Sequence, residues 1–441
     1  MTFKNKPIYR TGYCIVVLLT LCSCQQEPVS LDVVLENEPT IKKVVPIGSD
    51  TIYSGMFEII VEQPLDHHHP ELGSFTQRIF LSHMDASRPV VLVTEGYMAT
   101  RNYTSELARL LKANQIIVEH RFFGQSVPDS SIFDWTFLTI EQAANDHHKI
   151  VDIFKQVYPG KWINTGVSKG GQTTMYHRYF FPKDVDVSVP YVGPLNFSIE
   201  DPRIYLFLDT VGTPECRQRI HDFQFQILER RDSMFLWFQR SAESRGLTFS
   251  RITAEEAFEY SVLEYPFAFW QYGRWVCDEI PGVSSSDETL FEHFLEVTDM
   301  AYFADQGIRV YEPFFYQAMT EIGYYGYELD EFGDLIQSVT NPVFTFSAPQ
   351  GVDIEFNPEI MKDVHNFLQM EGNNFIYIYG GSDTWSATSV DIGTKTNALK
   401  IYKPGGAHGT RIRSLDDIQQ ARVIAALEDW LELDIENIWV R

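Results

Sequence analysis

Cysteine, charge and long apolar runs are all scarce in this chain. Five cysteines occur in 441 residues. None stands in a C-x-x-C pair or with the histidine spacing of a zinc module, which excludes that class of site. Charged residues fill only 22% of positions and hydrophobic ones 44%, so the chain can bury a large core and is not disordered as a whole. Positive charge is the scarcer sign, with 35 Lys and Arg against 60 Asp and Glu and a net charge of −25. Nucleic acid is thereby excluded as a partner, because that affinity rests on clustered cations that displace counterions. No repeat or low-complexity tract interrupts the sequence, and no apolar run after the first two dozen residues is long enough to span a bilayer.

What is present begins at the N-terminus. Lys4, Lys6 and Arg10 precede a short apolar stretch, Tyr13 to Leu21, and then Leu21-Cys22-Ser23-Cys24. The stretch falls short of the ~20 residues of a spanning helix and fits an export signal over residues 1–23. Leu-Cys-Ser-Cys resembles a bacterial lipobox, in which the last thiol, here that of Cys24, is acylated and becomes the mature N-terminus. An ordinary secretory signal is the alternative, and both readings export the protein. The polar residues 24–46 then read as a tether to a membrane, facing the periplasm or the cell surface. Only Cys216 and Cys277 remain in the body. An oxidising compartment allows them to pair, with two separate buried thiols as the alternative.

From residue 47 the pattern is alternating. Phe57 to Val61, Phe75 to Leu81, Pro89 to Thr94, Gln115 to Glu119 and Trp162 to Thr165 read as strands. Thr104 to Lys112, Ile140 to Val157 and the residues after Gly170 read as helices. Short β-branched runs alternating with helices predict a mostly parallel, doubly wound sheet. His67, His68 and His69 are neighbours on an extended loop, so their rings diverge and they read as turn residues rather than a metal site. From 195 to 335 the sequence turns helical and aromatic. Strands are expected again at Pro342 to Ser347, Phe375 to Tyr379 and Ala398 to Tyr402, followed by a helix over Leu415 to Leu431. This is the layout of an α/β-hydrolase core in two segments, 47–194 and 336–441, with an inserted helical cap over the carboxyl ends of the strands.

Gly166-Val167-Ser168-Lys169-Gly170 matches a nucleophile elbow. Glycines let strand and helix approach while a strained turn exposes the serine Oγ. The hydroxyl needs a base, and the base needs a carboxylate to fix its tautomer. Asp383 follows one late strand and His408 the next, in the chain order Ser, Asp, His. Asp353, after the expected strand at Pro342 to Ser347, is the competing acid. His120, His147, His148 and His365 read as packing or surface residues. The oxyanion donors expected are the backbone N–H groups of Lys169 and of Tyr97, which follows the strand ending at Thr94. The Lys169 side chain reads as packing or surface.

Val118-Glu119-His120-Arg121-Phe122-Phe123-Gly124-Gln125-Ser126, the Ser168 elbow, Asp209-Thr210-Val211-Gly212-Thr213-Pro214-Glu215-Cys216 and Ala407-His408-Gly409-Thr410 resemble the PS-10 peptidases, exported bacterial prolyl tri/tetrapeptidyl aminopeptidases. Tyr316 to Glu321 with Tyr324-Tyr325, and Asp383-Thr384-Trp385, are more distantly similar to the lysosomal prolylcarboxypeptidases and their dipeptidyl-peptidase relatives. The resemblance implies the triad Ser168, Asp383, His408 and a cap that admits only peptide ends. It needs no metal or organic cofactor. An aminopeptidase must also meet a protonated amine with a carboxylate, and Glu321, Glu119 and Glu95 are the candidates. An esterase or lipase using the same triad, or a non-catalytic surface binding lipoprotein, are the alternative functions.

Overall fold

The structure is a computed structural model that describes residues 1–2 and 29–439. The export signal and Cys24 lie outside the described residues. Nine strands form one sheet: β1 (Ile41–Gly48), β2 (Gly55–Pro64), β3 (Ser74–His83), β4 (Val90–Thr94), β5 (Asn114–Val118), β6 (Trp162–Val167), β7 (Val187–Tyr191), β8 (Ile376–Gly380) and β9 (Leu399–Lys403). Their order is β1-β2-β3-β5-β4-β6-β7-β8-β9. β1, β2, β3 and β5 pair antiparallel, and from β5 to β9 every pairing is parallel. This is the α/β-hydrolase sheet with an added strand at the antiparallel edge.

The central strands read as unbroken apolar runs because both faces are covered. In β4, Val91 and Val93 pack against α2 (Glu106–Leu110) and the C-terminal helix, while Val90 and Leu92 pack toward the long helix Ile140–Lys155 on the opposite face. Alternation of side chains along the strand thus serves two cores at once.

The remaining helices are α1 (Leu31–Asn37), α3 (Ile140–Lys155), α4 (Lys169–Phe180), then, inserted between β7 and β8 in the region expected as a cap, α5 (Arg203–Leu208), α6 (Pro214–Glu229), α7 (Arg231–Ser244), α8 (Ala254–Tyr272), α9 (Asp287–Val297) and α10 (Asp305–Gln317), then α11 (Glu359–Met370) and α12 (Asp417–Leu431). α8 starts at a capping box of Thr253 and Glu256 and stops at Gly273, whose φ of 56° is left-handed. Cys216 and Cys277 are disulfide-bonded and tie the start of α6 to the segment after α8. Among the described residues no helix is long and apolar enough to cross a membrane.

Two expectations need correction. The stretch read as a tether carries α1 and β1: Val34 is buried against the sheet, and β1 pairs with β2 along its length. Its polar look follows from its place at the edge, where one side of the strand faces water. Pro342 to Ser347 is not a strand. Val343 bridges Gly326 and a 3-10 turn follows at Phe344–Ser347, with the Phe344 ring packed among Phe315, Tyr324 and Tyr325 of the cap region. These apolar residues fill the cap's core rather than a ladder, and the chain returns to the main core only at α11.

Candidate active site

β6 delivers Ser168 at its carboxyl end, directly before α4. The serine has φ 57° and ψ −122°, a left-handed conformation that costs an L-residue ~1–3 kcal/mol and clusters at functional turns. The surrounding packing enforces it. A Cβ on Gly166 would meet the Gly170 carbonyl oxygen at 2.2 Å and the Thr94 oxygen at 2.6 Å, and one on Gly170 would also meet Thr94 at 2.6 Å. Only glycine lets β4, β6 and α4 approach this closely. The Ser168 N–H is held by the Tyr191 carbonyl of β7 at 2.9 Å.

Asp383 follows β8 and is fully buried; its Oδ2 accepts from His408 Nδ1 at 2.7 Å, and its Oδ1 accepts from the Trp385 N–H at 3.2 Å. An ionised carboxylate can only accept, so Nδ1 carries the proton and Nε2 is left as a base. The cap takes part in holding both residues. Gln271 of α8 offers its carbonyl to the His408 N–H at 2.9 Å, and Phe267 offers its own to the Thr384 hydroxyl at 3.0 Å. Ser168 and His408 line one cavity of about 500 Å³ between core and cap, with Tyr97, Phe267, Tyr302 and Trp385 among its walls.

The peptides of Tyr97 and Lys169, the donors expected for an oxyanion, lie near Ser168. Gly96 lies against the start of α4, since a Cβ there would meet both the Gly170 nitrogen and Lys169 Cβ at 2.6 Å. The Tyr97 peptide is therefore beside the Ser168–Lys169 turn. Neither the Tyr97 nor the Lys169 N–H donates to another protein group among the described residues. The Lys169 side chain is buried, with Nζ over the rings of Tyr97 and Phe123, and burial pushes its pKa well below the usual range. It packs; it is not at the surface.

The three carboxylates selected for an amine do not line this cavity. Glu119 is fully buried in a structural knot, accepting from Arg78, the Ala99 and Gln125 N–H groups and the Ser126 hydroxyl. Gly124 is glycine because a Cβ there would strike Glu119 Oε2 at 2.3 Å. Glu95 accepts from the Tyr103 hydroxyl at 2.7 Å, and burial raises its pKa. Glu321 accepts from the Ile140 N–H at 2.9 Å, where it faces the positive end of α3. Sequence reasoning failed here because all three sit in site-facing motifs yet give their oxygens to structural donors, backbone N–H groups and neighbouring side chains.

The buried carboxylate that does line the cavity is Glu264 of α8, with Asp299 at its surface side. It was missed; the available signal was a lone acid inside the apolar run Val262 to Trp270. Asp353 is exposed on an irregular segment, and His120, His147 and His148 serve local contacts with Arg121, Ala143 and Asp184. His67 and His68 bond Asp146 and Glu141 of α3. Among the described residues no group of three or more His, Cys, Asp or Glu side chains is arranged to hold a metal ion.

Comparison with known proteins places the chain in a family. The family described as PS-10 peptidase S37 matches residues 43–438. The prolyl tri/tetrapeptidyl aminopeptidase of Streptomyces mobaraensis is 32% identical over 377 residues, covering 83% of this chain and 78% of that protein. The human lysosomal Pro-X carboxypeptidase is 24% identical over 391 residues, 76% of each chain. Among solved structures, the proline iminopeptidase of Mycobacterium smegmatis aligns with 85% of this chain and all of its own, at 12% identity and a TM-score of 0.38.

Proposed function

The chain belongs to the PS-10 peptidase S37 family and is a serine peptidase of α/β-hydrolase fold; from that premise we propose that Ser168 attacks the scissile carbonyl of a short peptide and releases its N-terminal residues. His408 Nε2 takes the serine proton and returns it to the leaving amine. Asp383 holds the imidazole and stabilises the imidazolium. The Lys169 and Tyr97 N–H groups receive the charge that develops on the carbonyl oxygen, where a fixed donor is worth most. Water then repeats the sequence on the acyl-enzyme. The observation that carries this reading is the meeting of a strained Ser168 with an Asp383-bonded His408 in one cavity.

Selection of peptide ends is supported by the cap, whose α8 closes over the triad loop. A preference for proline rests on the aromatic walls of the cavity and on the activity named for the Streptomyces relative. Export with a lipid on Cys24 rests on the basic and apolar N-terminal segment. The Cys216–Cys277 disulfide supports it, because such bonds persist in oxidising compartments. We further read residues 195–335 as the functional cap.

A mixed peptide library analysed by mass spectrometry tests the substrate reading. Short N-terminal fragments ending in proline are expected, and hydrolysis confined to esters would replace the peptidase assignment with an esterase.

A further inference from the structure

Glu264 is 8% exposed. Both tyrosine hydroxyls that reach it, from Tyr325 at 2.9 Å and Tyr327 at 2.7 Å, donate to the same oxygen, Oε2. Oε1 has no hydrogen-bond donor, and no Lys, Arg or His among the described residues forms an ion pair with this carboxylate. A buried carboxylate without a cation is costly, and proteins relieve the cost by pairing it or by neutralising it. Burial accordingly pushes Glu264 up to about 7 despite the two tyrosines. The residue lines the cavity that holds Ser168 and His408. The cavity's other carboxylate, Asp299, is already engaged at the surface with Arg245 at 3.1 Å and with the Ala301 N–H at 3.1 Å.

We propose that Glu264 receives the protonated N-terminus of the peptide. Gln271, whose carbonyl holds the His408 loop, also lines the cavity, and Glu264 stands two turns earlier on the same helix face. Two turns rise about 10 Å. An extended peptide advances about 3.3 Å per residue, so a carboxylate lining the same cavity as Ser168 stands within reach of the amine of a short bound peptide. Phe267 and Ala268 form the wall between these points. The tyrosine hydroxyls fix the carboxylate through Oε2 and leave Oε1 without a donor in a residue that lines the cavity.

This inference rests on the peptidase reading above, and the experiment separates the two. Tripeptidyl anilides ending in proline, with a free or an acetylated amine, are compared for the wild type and Glu264→Gln, together with the rate of fluorophosphonate labelling. The amide still accepts from Tyr325 and Tyr327, so the fold is retained. The wild type is expected to prefer the free amine. Glu264→Gln should lose on the order of 10²-fold in kcat/KM on the free amine, mainly through KM, the size typical of an unpaired buried charge contact. Its labelling rate and its turnover of the acetylated substrate should match the wild type. Retention of the free-amine preference by Glu264→Gln overturns the role of Glu264 and leaves the peptidase reading standing. Absence of peptide cleavage and of labelling in the wild type overturns both.

Discussion

At Ser168 the backbone strain, the glycines at 166 and 170 and the bond to Tyr191 make one device: the side chain is presented where no alternative backbone fits. Asp383 does a different task, since its charge orients a base it never exchanges a proton with. Asp383→Asn keeps the shape but offers an amide to His408 Nδ1, which stabilises the wrong tautomer. Turnover is expected to fall on the order of 10⁴-fold, with thermal stability nearly unchanged; single-turnover kinetics and a melting curve check this, and a small loss would mean that His408 is oriented by other groups. The placement of Ser168, Asp383 and His408 around one cavity was legible in the sequence because each follows an apolar strand and a glycine-containing turn. Glu264 was not, because its partners Tyr325 and Tyr327 are brought to it only by the folding of the cap.

Among the elements, α3 and α4 are fastened behind the site by Asp184, whose Oδ2 meets His148 at 2.9 Å and His177 at 3.0 Å. Burial opposes ionisation of Asp184, but the two histidine hydrogen bonds outweigh it and hold the pKa at about 2, below its usual 3.8. A depressed carboxylate stabilises the fold fully above its unfolded pKa and loses that contribution as the pH falls through the folded value. Asp184→Asn should therefore cost about 1.5–3 kcal/mol at neutral pH, and the gap to the wild type should close between pH 3.8 and pH 2. Urea unfolding across that range reads it directly, and a gap that does not depend on pH would contradict it. The sequence reading of elements succeeded where apolar runs are buried on both sides, as in β4 and β5. It missed β7, which carries Pro190 near its end, and it misread Pro342 to Ser347, whose β-like composition serves aromatic packing in the cap.

Across the whole molecule, core and cap share one hydrophobic cluster. Phe123, Met175 and Tyr377 of the core belong with Phe223, Phe258 and Phe294 of the cap. The scarce positive charge noted at the outset gains a role at this scale. A net charge of −25 sets up a field that favours cationic peptide termini, and salt screens it with a Debye length of ~10 Å at 0.1 M. The kcat/KM for a free-amine substrate should fall as ionic strength rises, while that for an acetylated one stays flat; parallel behaviour of the two would remove steering from the mechanism. The central assignment is tested most directly by peptide mapping after reaction with a fluorophosphonate. One adduct on Ser168, with loss of peptidase activity in proportion to labelling, is the expected result. An adduct on another residue, or full activity after Ser168 is modified, would contradict it.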